Sequence, residues 1–314
     1  MNYSIVFPGQ GSQSVNMFAE FTEEYGSEVA DTFAEASEVL GYDLAALVRD
    51  NPNDKLNQTE FTQPAMLTVG IIAWRIWQEQ GGAEPLMMAG HSLGEYTALV
   101  AAEVMTFADA VKLVAERGRL MQEAVPAGQG AMAAILGLEN DQVKTICEEV
   151  AGNDVVEAVN FNSPGQVVVA GSAAAVQRAI DKATNGGAKN AVLLPVSVPS
   201  HSSLMVPAAE KLADHIDAVK IQLPKTPVLH NIDASAKEDV AAIKDALQRQ
   251  LYSPVRWADT IENMAEQGVE VVVELGPGKV LAGLCRRIDR NLKAIPVNSL
   301  KGLQKAVDAI EDLS

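Results

Sequence analysis

The chain has 314 residues, with 24 Lys plus Arg against 41 Asp plus Glu and a formal net charge of −17. That balance argues against nucleic acid as a main partner and against an anionic membrane surface, while leaving room for a local basic cluster that binds an anion. At 48% hydrophobic residues the chain can fill the core of one large soluble domain or two modest ones, and its two cysteines, Cys147 and Cys285, lack both metal-ligand and CxxC spacing, so both are expected as reduced thiols in a cytoplasmic protein.

The first ten residues, MNYSIVFPGQ, have no basic region before an apolar one, so no signal peptide is expected. Tyr3 to Phe7 reads as a buried strand. Pro8-Gly9-Gln10-Gly11-Ser12-Gln13 follows, a loop whose glycines let the backbone approach a ligand or simply turn. It matches neither the dinucleotide-binding nor the Walker pattern. Helices are expected over 31–40 and 62–80; the apolar stretch 65–77 is interrupted by Arg75 and is too short to span a bilayer.

Leu86 to Ala89 then runs into Gly90-His91-Ser92-Leu93-Gly94 and a helical stretch. This is the G-x-S-x-G nucleophile elbow in its strand–turn–helix setting. The glycines permit close strand–helix approach, and Ser92 lies at a helix N-terminus, where free N–H groups favour developing negative charge. An ordinary strand-to-helix turn would look the same from five residues. The next helix, 107–124, places Ala110, Leu113, Val114, Leu120, Met121 and Ala124 on one face, with Arg117 in its middle. A bare buried charge is very costly, so Arg117 is either in an internal salt bridge or faces a polar cavity, where its guanidinium fork could receive a substrate carboxylate.

From 127 to 198 the texture changes. Strands at 131–136, 155–161, 166–170 and 191–198, helices at 141–151 and 173–183, and a hairpin turn at Asn162-Ser163-Pro164-Gly165 give the order β-α-β-β-α-β, a ferredoxin-like unit. It is expected as an insert (127–198) in a large domain formed by 1–126 and 199–314. Beyond it come a helix over 203–219, a short strand at 227–230, a helix over 239–251, strands at 270–275 and 294–297, and helices after each. The alternation predicts an α/β fold with a mainly parallel sheet covered on both sides.

A serine nucleophile needs a base. Of the four histidines, His91 adjoins Ser92 and points away, and His215 lies on a helix. His230 ends a short strand and remains a rival. His201, in the Pro-constrained loop where the insert returns, is the preferred base. No Asp or Glu makes a convincing third member; Glu274 and Asp233 are the weak candidates, and a backbone carbonyl or amide side chain could orient the imidazole instead.

FPGQGSQ, GHSLGEY, Arg117 in its helix, NFNSPGQVV, PVSVPSH and ELGPGKVL occur in this order along nearly the whole chain. In this the chain resembles the bacterial malonyl-CoA:acyl carrier protein transacylases of fatty acid synthesis. The resemblance implies an α/β-hydrolase-like large domain with a ferredoxin-like insert. It implies that Ser92 is acylated by malonyl-CoA, that His201 acts as acid and base, and that the Gln250 carbonyl orients His201. Arg117 would pair with the malonyl carboxylate, Gln10 and the Leu93 N–H would form the oxyanion hole, and Gln63, Met121 and Asn162 would line the pocket. It implies no bound cofactor or metal, a phosphopantetheine carried by the acyl carrier protein, and a cytoplasmic enzyme, expected as a monomer. Because that partner is acidic, the basic run Lys279, Arg286, Arg287, Arg290 and Lys293, opposed only by Asp289, is a candidate docking patch; a solvated helix face is the alternative. A serine esterase or thioesterase, a non-catalytic module of a synthase, and a malonyl-loading enzyme of a polyketide pathway are the other readings.

Overall fold

A computed structural model of the protein describes residues 2–126, 128–196 and 198–313. Its strands, in chain order, are β1 (Tyr3–Phe7), β2 (Met87–Gly90), β3 (Gly130–Leu136), β4 (Val156–Ser163), β5 (Gln166–Ser172), β6 (Asn190–Leu193), β7 (Val228–Leu229), β8 (Val271–Leu275) and β9 (Lys293–Val297). They form a parallel sheet in the order β7-β2-β1-β8-β9 and an antiparallel sheet in the order β4-β5-β3-β6.

In the parallel sheet, Tyr3, Ile5 and Phe7 of β1 pack into one apolar cluster while Val6 packs into another on the opposite face. β8 repeats the pattern, with Val271, Val273 and Leu275 on the first face and Val272 on the second. Helices cover both faces, which is why neither strand alternates with polar residues. The loops that leave the carboxyl ends of β1, β2 and β8 therefore meet at one edge, where open parallel sheets bind ligands.

The antiparallel sheet has its own core. Ala133, Ile135, Val167 and Val169 pack with Val143 and Ile146 of the helix Asn140–Ala151 and with Val176 and Ala179 of the helix Ala173–Asn185. Its strand order is that of a ferredoxin-like unit. β4 is tied by backbone bonds to the segment ahead of residue 257: Val255 N–H donates to the Val159 carbonyl (2.8 Å) and Phe161 N–H to the Val255 carbonyl (3.0 Å).

Several expected boundaries move. The strand expected over 191–198 is Asn190–Leu193, a short and largely exposed edge that stops ahead of Pro195, a residue with no N–H to offer a ladder. The expected hairpin turn is tighter: Asn162 and Ser163 belong to β4, and the reversal is made by Pro164 and Gly165, whose φ of +71° suits glycine. The helix expected from Ser203 begins at Val206 after a 3-10 turn over Ser203–Met205. The strand expected at 227–230 is only Val228–Leu229, and the helix Trp257–Glu266 was not expected at all. Ala127, the first residue of the expected insert, Ser197 within its expected last strand, and the terminal Met1 and Ser314 lie outside the described residues. No helix among the described residues is long and apolar enough to cross a membrane.

Candidate active site

The elbow requires its glycines. A Cβ on Gly90 would lie 1.9 Å from the Gly94 backbone, and one on Gly94 would lie 2.1 Å from the Phe7 carbonyl oxygen. Strand β2, the loop after β1 and the helix Leu93–Ala101 thus meet backbone to backbone. The chain reverses at Ser92, whose φ of 52° and ψ of −110° are unusual for a residue with a side chain. Two amides hold it there: Ser92 N–H donates to Asn231 Oδ1 (2.7 Å), and Gln250 Nε2 donates to the Ser92 carbonyl (3.0 Å). The Ser92 hydroxyl does not cap its own helix, so it is free for another partner.

That partner is His201, whose Nε2 lies 2.8 Å from Ser92 Oγ. Its Nδ1 lies 2.7 Å from the Gln250 carbonyl oxygen. A carbonyl only accepts, so the proton sits on Nδ1 and the Nε2 lone pair faces the serine. His201 is itself held at a φ of 66°, and its backbone N–H donates to the Leu251 carbonyl (2.9 Å). Burial, and then the nearby Arg117 charge, lower its pKa to about 3. The imidazole is therefore neutral at physiological pH and available as a base.

The other histidines face elsewhere. His230 Nδ1 lies 2.8 Å from Glu95 Oε1. His91 Nε2 lies 2.8 Å from Asn162 Oδ1, with its ring against Trp257, and burial lowers its pKa. His215 sits 3.3 Å from Glu116 on the surface. The two carboxylates considered as orienting groups are also occupied. Glu274 accepts from the N–H groups of Leu281 (3.1 Å) and Ala282 (2.8 Å) at the start of the helix Val280–Ile288, and Asp233 pairs with Lys237.

Arg117 lies where periodicity puts it, on the buried face of the helix Phe107–Ala124, and is 1% exposed. Its Nη1 donates to Gln63 Oε1 (2.7 Å), and its Nη2 donates to Gln250 Oε1 (2.9 Å) and, more weakly, to Ser92 Oγ (3.3 Å). Its Cζ lies 5.4 Å from the Tyr96 ring centroid, and its Nε–H has no acceptor among the described residues. Two neutral amides thus position the guanidinium, and no described carboxylate forms a salt bridge with it. Burial presses its pKa down, yet an arginine remains charged. A buried cation beside a nucleophile, with donors to spare, is able to receive an anionic acyl group.

The remaining predicted residues fall around this centre. Gln63 Nε2 donates to Thr59 Oγ1 (3.0 Å) and approaches Met121 Sδ (3.5 Å), and Thr59 Oγ1 donates to Gln10 Oε1 (2.7 Å). This chain of contacts links the loop after β1 to Arg117. Gly9 packs so tightly on the elbow that a Cβ there would lie 2.3 Å from the His91 carbonyl oxygen. The backbone N–H groups of Gln10 and Leu93 have no acceptor among the described residues. Asn162 is one residue removed, reaching the site through His91. Lys279, Arg286, Arg287, Arg290 and Lys293 are exposed and not at the serine; none is in a salt bridge among the described residues, although Arg286 donates to the Ala294 carbonyl and Arg287 to Gln166 Oε1 (2.6 Å each). No group of three or more His, Cys, Asp or Glu among the described residues is placed to hold a metal.

Sequence reasoning missed Glu95, Thr59, Tyr96, Asn231 and the side chain of Gln250. Glu95 alone carried a signal, as a fully buried acid inside the otherwise apolar helix that follows the elbow.

A hydroxyl served by a neutral imidazole can form an acyl-enzyme, and the fold and site together fit the class of serine-nucleophile acyltransferases. The chain belongs to the acyl transferase family, whose domain, described as "Acyl transferase domain", matches residues 4–313. Within that family it is 54% identical over 305 residues to the malonyl CoA-acyl carrier protein transacylase of Salmonella typhimurium, covering 97% of this chain and 98% of the relative. An acyl carrier protein S-malonyltransferase from Vibrio cholerae superposes with a TM-score of 0.94 at 54% identity, over 98% of this chain and all of the other. A malonyl-transacylase solved in complex with its type II polyketide acyl-carrier protein superposes with a TM-score of 0.96 at 51% identity, over 98% of this chain and 100% of that one.

Proposed function

We propose that this protein transfers a malonyl group from CoA to the phosphopantetheine thiol of an acyl carrier protein through a malonyl ester on Ser92, in fatty acid biosynthesis. Ser92 Oγ attacks the thioester carbonyl carbon while His201 Nε2 takes the hydroxyl proton. The carbonyl π electrons move onto oxygen, which the backbone N–H groups of Gln10 and Leu93 receive. Collapse breaks the C–S bond, His201 returns the proton to the departing thiolate, and CoA leaves. In the second half the carrier's thiol gives its proton to His201 and attacks the ester carbonyl. The ester C–O bond breaks and the proton returns to Ser92 Oγ. The Gln250 carbonyl keeps His201 in the required tautomer throughout, doing without full charge what a carboxylate does in hydrolytic triads.

One observation carries the reading: Arg117, buried, in a salt bridge with no described carboxylate and with Nη2 3.3 Å from Ser92 Oγ. It would hold the malonyl carboxylate, with Gln63 and Gln250 keeping it in place and Met121 and Asn162 shaping the pocket. Intact-protein mass spectrometry after brief exposure to malonyl-CoA tests it. A mass increase of one malonyl group, absent in Ser92→Ala, supports the ester; an unlabelled protein refutes it. An esterase or thioesterase would consume malonyl-CoA at the same rate with or without carrier protein, and that result would replace the transferase reading.

A polyketide carrier protein is the second acceptor to test, because the relative solved with such a partner is similar over its whole length. Comparing kcat/KM for the two kinds of carrier separates the pathways. The exposed run Lys279, Arg286, Arg287, Arg290 and Lys293 is the docking patch we assign for the acidic carrier. Only its Lys279 end lies near the site, where a Cβ on the adjacent Gly278 would lie 3.3 Å from the Ser12 side chain in the loop after β1, while Lys293 opens β9 beside Val271 at the opposite end of the sheet. We assign 127–198 as the inserted domain and 1–126 with 199–314 as the catalytic one, in keeping with β3 to β6 forming a sheet of their own. Ser92, His201 and Arg117 come from one chain, which suits a monomer, and the unpaired Cys147 and Cys285 suit the cytoplasm. No resident cofactor enters this scheme.

A further inference from the structure

Beneath the nucleophile lies a buried polar chain that the transfer steps do not use. Glu95 is fully buried and one turn into the helix that Ser92 begins. Its Oε1 meets His230 Nδ1 (2.8 Å), and its Oε2 accepts from the Asn231 backbone N–H (2.9 Å) and from Gln250 Nε2 (2.9 Å). Asn231 in turn accepts from the Ser92 N–H at Oδ1 and donates from Nδ2 to the Gly90 carbonyl, each at 2.7 Å. Gln250 accepts from Arg117 at Oε1 (2.9 Å) and donates from Nε2 to the Ser92 carbonyl (3.0 Å).

The donor and acceptor chemistry fixes the sense of this chain. A guanidinium only donates, so Gln250 must show it an oxygen. An ionised carboxylate only accepts, so Gln250 must show Glu95 its NH2 group. With both neighbours in place the amide has one orientation. Without the carboxylate the NH2 group keeps only the Ser92 carbonyl as acceptor, so the amide is held less tightly and its oxygen seats the guanidinium less firmly. Buried amide networks of this kind hold their members in place only while every member is satisfied.

We propose that Glu95 is a positioning residue for acyl-group selection: through the Gln250 amide it seats Arg117 for the carboxylate of the acyl donor, and through Asn231 and Gln250 it locks the same seat to the backbone of Ser92. The inference rests on the malonyl reading above. It makes a claim about sign. A Glu95 that acted only as a negative charge near Arg117 would weaken carboxylate binding, and its removal would raise malonyl transfer over acetyl transfer. A Glu95 that seats Arg117 does the reverse.

The test is Glu95→Gln, which keeps the shape and removes the charge, with single-turnover loading of Ser92 by malonyl-CoA and by acetyl-CoA followed by intact mass, and thermal unfolding as a fold control. Loss of one charge-assisted link predicts a fall of about tenfold or more in the malonyl-to-acetyl ratio. In an Arg117→Ala background the same substitution should leave the ratio unchanged. Equal loss for both donors, a rise in the ratio, or a further fall in the Arg117→Ala background overturns the proposal. Should Glu95→Gln not fold, Gln250→Met deletes the amide and keeps the carbonyl under His201. It should give the same fall, and an unchanged ratio overturns the relay. Failure of the wild-type protein to accept malonyl at Ser92 would instead sink the functional reading itself.

Discussion

Arg117→Ala separates carboxylate recognition from the rest of the machinery. The substitution removes a cation that is 1% exposed and leaves two amide oxygens, Gln63 Oε1 and Gln250 Oε1, without their donor. A malonyl carboxylate would then enter a buried site with no counter-charge. Breaking a buried ion pair by removing one partner costs roughly 3–5 kcal/mol, which at about 1.4 kcal/mol per decade is roughly two to four powers of ten in transfer rate. Acetyl transfer faces no such loss, because an acetyl group leaves the wild-type arginine unpaired. It should change by less than about tenfold, the orphaned amide oxygens costing about 1–3 kcal/mol each in stability and removal of a desolvated charge offsetting part of that. The assay is kcat/KM for malonyl-CoA and acetyl-CoA with one carrier protein, with unfolding measured alongside. Equal losses for both donors would refute the carboxylate role.

Reversing the docking patch with Arg286→Glu and Arg287→Glu should raise KM for the carrier protein and flatten its salt dependence while sparing malonyl-CoA hydrolysis; unchanged carrier kinetics would count against the patch. Because the folded pKa of His201 is about 3, below the roughly 6.5 of an unperturbed histidine, kcat/KM for malonyl-CoA should lack an inflection near 6.5 from this group. The same depression makes the unfolded state the better proton binder between those values. The contribution to stability is therefore intact above about 6.5 and lost as pH falls toward 3. Thermal unfolding across that range should show a slope that His201→Gln reduces, and identical slopes would contradict the burial. Gly94→Ala forces a Cβ to within 2.1 Å of the Phe7 carbonyl oxygen, so it should cost about 1–3 kcal/mol or more of stability and abolish Ser92 labelling; a fully active, equally stable variant would show that the elbow tolerates the atom.

Which parts of this site could be read from the sequence follows from the range of the interactions that build it. Ser92 was legible because its signature is local: the glycines that let β2, the loop after β1 and the following helix touch lie within two residues of it. Arg117 was legible because it breaks a pattern, a charge on a helical face whose other members are apolar, and a local rule broken without a local remedy tends to mark function. His201 could only be preferred over His230. Both are buried, and only coordinates separate a ring bound to Ser92 from one bound to Glu95. Asn231, and the Gln250 side chain that seats Arg117, gave no signal, since they meet Glu95 across 136 and 155 residues of chain. The helix Trp257–Glu266 went unread although its buried residues, Trp257, Ala258, Thr260, Ile261 and Met264, fall at helical spacing. The chemical groups therefore announce themselves, and Glu95 stands out as an acid in an apolar helix, while the amides that aim them resemble ordinary polar residues until the fold closes around them. That asymmetry is what makes the acid beneath the elbow informative. Glu95 sits next to the most legible motif in the chain, yet every partner that gives it a role lies far along the sequence.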